Sequence, residues 1–269
     1  MKINPPPLEE VLSITRDFVS EILKESGARG FVMGASGGLD SSLLATLLKR
    51  CNMPFKALFL PDGEPNKDDE RAISLLEDFL NIKVERYNIR PAKEVVLKDV
   101  LPEGEGTLVA GNLASRIRMC YLYTVANAEK LLVAGSSNKS EILLGYFTKW
   151  GDGAADIFPL GDLFKTQLYA LAKELKLPDF IIKRAPTAGL LPGQTDEGEL
   201  GLSYDKIDII LRGTLLNMPV ERIAEDAGTT AEEVLRIQEM VRRSRHKRMG
   251  LLIPKMGPET VGLDFHERW

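Results

Sequence analysis

The stretch Gly34-Ala35-Ser36-Gly37-Gly38-Leu39-Asp40-Ser41-Ser42 gathers the residue types that hold a phosphate. It follows a short apolar run, Phe31-Val32-Met33, and opens a helical pattern. Glycines let a backbone approach an anion closely. Free N–H groups at a helix start, with the helix dipole, favour negative charge. Ser36, Ser41 and Ser42 add hydroxyl donors. Asp40 is the odd member, because a carboxylate repels phosphate. It makes sense if it holds a Mg2+ that the phosphates also ligate. A tight strand-to-helix turn capped by serines is the alternative use of the same residues. Two commoner nucleotide motifs fail: a Walker A loop needs Lys where this chain has Leu39, and G-x-G-x-x-G does not occur.

The elements that must position this loop follow from periodicity. Leu8, Val11, Leu12, Thr15, Phe18, Val19, Ile22 and Leu23 predict a first helix, opened after Pro5–Pro7 and closed by Gly27 and Gly30. Short apolar runs predict buried strands at 31–33, 55–60, 82–89 and 131–134, with a fifth at 157–160. Helical patterns fall at 39–50, 69–80, 113–128, 140–144 and 164–175. This alternation implies an α/β fold, a three-layer α/β/α sandwich on a mostly parallel five-stranded sheet. From about residue 178 the strands stop, and helices are expected at 204–216, 219–226 and 230–245. A single domain over 1–269 is expected, with a nucleotide-binding core at about 28–177 and a helical part at about 178–250. The helix around 116–128 has apolar residues on more than one side (Ile117, Met119, Tyr121, Leu122, Tyr123, Val125), which predicts a homodimer covering the second side.

Composition excludes several classes. The 269 residues are 44% hydrophobic and 28% charged, enough for a sizeable core, so disorder is not the main state. Lys and Arg total 35 against 39 Asp and Glu, a net charge of −4, which argues against a nucleic-acid partner. Cys51 and Cys120 form no CxxC pattern, excluding a disulfide scaffold and a zinc ribbon and fitting a cytoplasmic, reducing compartment. No apolar run approaches the roughly 20 residues that span a bilayer, so no membrane partner is expected. Residues 219–234 look like a helix-turn-helix. However, Glu232 and Glu233 stand where a recognition helix would meet DNA phosphates, and Thr230 with Glu233 fits a capping box.

S-G-G-x-D-S after a strand resembles the pyrophosphate (PP) loop of the ATP pyrophosphatases. That superfamily includes GMP, asparagine and argininosuccinate synthetases, tRNA-modifying enzymes and NAD synthetase. Further stretches narrow the resemblance: Gly111-Asn112-Leu113-Ala114-Ser115-Arg116-Ile117-Arg118-Met119, Gly135-Ser136-Ser137-Asn138-Lys139-Ser140-Glu141, and Phe147-Thr148-Lys149-Trp150-Gly151-Asp152-Gly153-Ala154-Ala155-Asp156. Leu163-Phe164-Lys165-Thr166-Gln167, Pro186-Thr187-Ala188-Gly189-Leu190 and His246-Lys247-Arg248 follow in order. From about residue 30 to 250 the chain resembles the NAD synthetase family.

The resemblance implies an adenine nucleotide alpha-hydrolase-like fold and a ligase for the final step of NAD biosynthesis. ATP adenylates the nicotinate carboxylate of deamido-NAD, and ammonia then displaces AMP. Gly34, Ala35, Ser36, Gly37, Gly38, Leu39, Asp40, Ser41, Ser136, Lys165 and Thr187 would bind ATP, and Asp40 and Glu141 would bind Mg2+. Arg116, Lys149, Asp156, His246 and Lys247 would contact deamido-NAD. Lys165 and Asp152 are the candidate catalytic residues. Asp152 would accept a proton from ammonium, and its flanking glycines suggest a mobile lid. The synthetase motifs fill the chain, so no glutaminase domain is expected and ammonia would be the direct donor. Cys120, in an apolar stretch, is expected to be buried.

Overall fold

The first helix, α1 (Leu8–Ser26), begins directly after Pro7 and ends where Gly27 turns left-handed at φ 67°. The computed structural model describes residues 3–101, 107–185, 196–250, 252–254 and 256. After α1 come β1 (Phe31–Gly34), α2 (Leu39–Arg50), β2 (Phe55–Phe59), α3 (Lys67–Leu80), β3 (Val84–Arg86), α4 (Arg90–Val100) and α5 (Thr107–Glu129). Then follow β4 (Leu132–Val133), α6 (Lys139–Leu144), α7 (Lys165–Glu174), α8 (Asp179–Ile182) and α9 (Asp196–Leu200). The chain continues with α10 (Tyr204–Leu215), α11 (Val220–Ala227), α12 (Ala231–Arg243) and α13 (Arg245–Arg248).

The four strands pair in parallel in the order β3-β2-β1-β4. Alternation along each strand separates two apolar layers. Phe31, Met33, Ala57 and Phe59 pack with Leu43, Leu44, Leu47, Ile73 and Leu168 on one face. Val32, Leu58 and Val133 pack with Ala114 and Ala126 of α5 on the other. Each of the larger side chains among them, Val, Leu, Ile, Phe or Met, contributes roughly 1.5–3 kcal/mol. A third cluster, built on Ile207, Ile210, Ile223, Val234 and Ile237, joins α10, α11 and α12. The α11–α12 turn uses Gly228 at φ 59° and the Thr230–Glu233 capping box, and Ile223, Ala227, Val234 and Ile237 on either side of it are buried in this cluster.

Two expectations need correction, and one helix is new. The fifth strand reduces to one parallel bridge, Ala134 with Ile157. Pro159 has no N–H to extend a ladder, and the chain turns at once, with Gly161 N–H on the Phe158 carbonyl at 2.9 Å. Helix α5 starts six residues before the expected 113 and runs through the buried Gly111. Helix α4 was not anticipated; its start signal is Pro91 in the first turn.

The strand order reverses at β1: β2 and β3 lie to one side of it and β4 to the other. The crevice at the C-terminal ends of β1 and β4 is therefore where an open α/β sheet accepts a ligand. Among the described residues no helix is long and apolar enough to cross a membrane.

Candidate active site

The glycine loop leaves β1 and enters α2 in that crevice. Gly37 sits at φ 75°, and a Cβ there would come within 2.9 Å of the Ala72 Cβ and 3.0 Å of an Arg184 nitrogen. Glycine is thus required twice over, by backbone and by space. Ser36 and Ser41 brace the loop: the Ser36 N–H donates to Ser41 Oγ at 3.2 Å, and the Gly38 N–H to Ser36 Oγ at 3.2 Å. Gly38 is the N-cap of α2 and has no side chain to cap it. The amides of Leu39, Asp40 and Ser41, at the positive end of the helix dipole, are left for an anion. From Leu39 to Leu48 every residue except Asp40 is buried, so Asp40 alone in that stretch turns to the crevice.

Asp40 meets residues from two later elements there. Its Oδ1 accepts from Lys165 Nζ at 2.7 Å and its Oδ2 from Asn138 Nδ2 at 2.6 Å. Lys165 Nζ also donates to Glu141 Oε1 at 3.1 Å. Asn138, fully buried, is the N-cap of α6 and forms a capping box with Glu141. One ammonium thus holds two carboxylates, with side-chain exposures of 6% for Lys165, 12% for Asp40 and 17% for Glu141. Burial works against the Lys165 charge, but Asp40 and Glu141 outweigh it and hold the amine protonated. Burial pushes the Glu141 carboxyl up; Lys165 pulls it back and Asp40 adds to the rise. With both carboxyls ionised the cluster carries one negative charge in excess, which a further cation would balance. The donor set suits Mg2+, a hard ion that takes one or two carboxylates plus phosphate oxygens.

A second group lines the loop after α6. Thr148 Oγ1 donates to Asn112 Oδ1 at 2.8 Å and Arg116 Nε to the Lys149 carbonyl at 3.3 Å, so two residues one turn apart on α5 meet the same loop. Lys149 Nζ reaches the His246 carbonyl at 2.9 Å. Lys247 Nζ donates to the carbonyls of Gly145 and Phe147, both at 2.7 Å, and burial lowers its pKa. Asp152 Oδ1 accepts from Ser115 Oγ at 2.7 Å and from the Thr148 N–H at 2.9 Å.

A family model, NAD synthase, matches residues 11–250. The chain belongs to the NAD synthase family. It is 46% identical to the NH(3)-dependent NAD(+) synthetase of Thermococcus kodakarensis over 245 residues, 90% of this chain and 94% of that one. Among solved structures it is similar to the NMN synthetase from Francisella tularensis, with TM-score 0.81 and 36% identity, covering 93% of this chain and all of that one. It is likewise similar to the NH3-dependent NAD synthetase from Campylobacter jejuni in complex with the nitrate ion, with TM-score 0.78, 30% identity and the same coverages.

Against the residues expected of a NAD synthase, the structure draws Asp40, Glu141 and Lys165 together beside the loop of Gly34–Ser41. Ser136 is half-buried beyond β4. Thr187 lies outside the described residues. Arg116, Lys149 and Lys247 meet the 145–150 loop through their side chains and His246 through its backbone carbonyl, and Asp156 stands exposed in the stretch that follows. Its Oδ2 accepts from the Val133 N–H at 2.7 Å and its Oδ1 from the Tyr123 hydroxyl at 3.2 Å. Tyr123 lies about two helical turns beyond Arg116.

The glycines beside Asp152 have a packing reason. A Cβ on Gly151 would fall 2.4 Å from Ser115 Oγ, and one on Gly153 2.3 Å from the Phe147 ring. Cys120 is exposed, against the expectation of burial, whereas Cys51 is buried.

Three residues of the site carry no role in the sequence reading. Asn138 was findable, since Asn three residues before Glu141 is a capping-box spacing. Arg184 holds the loop from outside, with Nη1 on the Gly37 carbonyl at 3.0 Å and Nη2 on Asp69 Oδ1 at 2.5 Å. Arg118 donates from Nε to the Leu60 carbonyl at 2.9 Å, and burial lowers its pKa. Arg184 carries no local signal, whereas Arg118 stands in the Gly111–Met119 stretch that carries the resemblance.

Proposed function

We propose that the chain makes NAD(+) from deamido-NAD and ammonia, using ATP to activate the nicotinate carboxylate. The observation that carries this reading is the buried ammonium of Lys165, shared by two carboxylates at the mouth of an uncapped helix that begins in a glycine loop. The curated relatives are named as ammonia-dependent NAD(+) synthetases, and their identity to this chain supports the same substrates.

In the first half-reaction a carboxylate oxygen of deamido-NAD bonds to the α-phosphorus of ATP and pyrophosphate leaves. The amides of Leu39, Asp40 and Ser41 receive the pyrophosphate, and Lys165 supplies a charge that stays on throughout. Asp40 and Glu141 would hold Mg2+, which when bound neutralises charge on the phosphate oxygens. In the second half-reaction ammonia bonds to the carbonyl carbon, AMP leaves and one proton is released. Asp152, with Oδ1 pinned by Ser115 and the Thr148 amide, offers Oδ2 to ammonium and accepts the proton whose loss turns it into the ammonia that attacks. Arg116, Lys149, His246 and Lys247 bind the dinucleotide.

The chain works as a homodimer in the cytoplasm. Val95 and Val100 of α4 and Leu108 and Val109 of α5 are exposed and would be covered by the second subunit. Two free thiols suit a reducing compartment.

The test is incubation with ATP, Mg2+, ammonium and deamido-NAD, with NAD(+), AMP and pyrophosphate expected in equal amounts. ADP and orthophosphate would overturn the reading. A parallel arm offers the nicotinate mononucleotide alone, because one structural relative is named an NMN synthetase. Faster amidation of the mononucleotide would move the substrate assignment.

A further inference from the structure

Asp208 lies on α10, in the helical cluster behind the crevice, and is fully buried. An ionised carboxylate at such depth needs its oxygens matched. Both are. Oδ1 accepts from Ser140 Oγ at 2.5 Å and Oδ2 from the Thr166 N–H at 2.9 Å. Ser140 Oγ in turn accepts from the Lys165 N–H at 2.9 Å.

The two amides belong to the first turn of α7. Such amides have no partner inside their own helix. The N-cap position of α7 is Phe164, which has no side-chain oxygen to offer. Helix α7 is therefore capped from outside, by a serine of α6 and an aspartate of α10. The anchored positions sit one residue from the site: Ser140 precedes Glu141, and Thr166 follows Lys165.

We propose that Asp208 is a positioning residue for the amidation. It fixes the starts of α6 and α7 against each other, and so sets Glu141 and Lys165 across the phosphate site. This rests on the reading that Glu141 and Lys165 serve the ATP half-reaction. The carboxylate geometry matters because it accepts from both helices at once. An asparagine keeps one acceptor oxygen for Thr166 but turns an N–H2 toward Ser140. An alanine breaks both links.

The experiment uses the full chain with Asp208→Asn, Asp208→Ala and Ser140→Ala. Steady-state kinetics give kcat, the KM for deamido-NAD and the half-saturating Mg2+. Hydrogen exchange reads the amides of Lys165 and Thr166. For Asp208→Ala, kcat is expected to fall at least about tenfold and half-saturating Mg2+ to rise several-fold, with the KM for deamido-NAD within about twofold. Exchange at the two amides should quicken at least about tenfold beyond that of the other described helices. Asp208→Asn should restore part of kcat and most of the Thr166 protection.

A folded Asp208→Ala chain with wild-type kcat and Mg2+ dependence would overturn the proposal, even with a lowered melting temperature. Unchanged Thr166 exchange would overturn it too. If Asp208→Ala does not fold, the other two variants decide on the same readouts. The exchange measurement needs no activity. A wild-type chain unable to make NAD(+) would sink the proposed reaction, while quickened Thr166 exchange in the variants would still support anchoring by Asp208.

Discussion

Replacing Lys165 by methionine keeps most of its volume and removes its charge. The structure sets the scale of the loss. Asp40 and Glu141 keep only 12% and 17% of their side-chain exposure, and the ammonium at 2.7 and 3.1 Å is their shared counter-charge. Removing one partner of a buried pair costs about 3–5 kcal/mol. Residual exposure argues for the lower end, about 3 kcal/mol, or roughly 6–12 °C of melting temperature for a chain of this size. The pH dependence has a fixed sign. Without Lys165 the Glu141 carboxyl, already pushed up to about 8 by burial, loses the charge that pulls it back, so the variant gains stability relative to wild type as pH falls through about 8. Urea denaturation of both proteins across that pH, with and without Mg2+, measures it. Added Mg2+ should return part of the loss, and Asp40→Asn with Glu141→Gln in the same chain should return most of it. A Lys165→Met chain as stable as wild type at pH 8, or one with a pH-independent deficit, would refute the reasoning.

Burial raises the Asp208 carboxyl from 3.8 to about 6. The folded state then holds a proton that the unfolded state releases, so stability rises as pH falls through about 6 and levels near 4, by at most about 3 kcal/mol. The difference between wild type and Asp208→Asn at pH 7 and pH 4.5, by urea midpoint, checks it. Gly37→Ala should raise the KM for ATP about tenfold and destabilise the fold by at least about 1 kcal/mol, from a strained φ and a contact with Ala72; an unchanged KM would contradict the loop geometry. Asp152→Asn keeps the acceptor for Ser115 and Thr148, so the fold should survive, and amide formation should slow more than pyrophosphate release. Equal slowing of both half-reactions would count against Asp152 as proton acceptor.

Helix α2 is legible from sequence to the residue because two independent signals agree, a glycine loop before it and Leu43, Leu44, Leu47 and Leu48 on one face. Helix α4 is not, because its buried positions are Lys93 and Leu97 while Val95, Val96 and Val100 face outward. Lys93 is buried because it pairs with Asp62 at 2.7 Å, a contact no local pattern announces. In the site, the loop of Gly34–Ser41 reads directly from residue chemistry. Glu141 and Lys165 join it only through resemblance, since a helix-start glutamate or lysine is ordinary by itself. Asp208 escapes altogether, because its partner Ser140 is 68 residues away and its own helix gives it no distinctive position.

The parallel sheet gives the site an order of assembly. Asp40 meets Asn138 across 98 residues and Lys165 across 125. Long closures of this kind are slow, since chain entropy is lost before the contact forms. During synthesis the phosphate loop leaves the ribosome early, yet its acid has no counter-charge until α7 has followed. A fragment ending before α7 carries the whole glycine motif but none of the cation that completes the site. Nucleotide that favours the complete site stabilises only the finished chain. A nucleotide bound at the complete site would therefore stabilise the finished chain in proportion to the logarithm of its free concentration, and would do nothing for a chain that lacks α7.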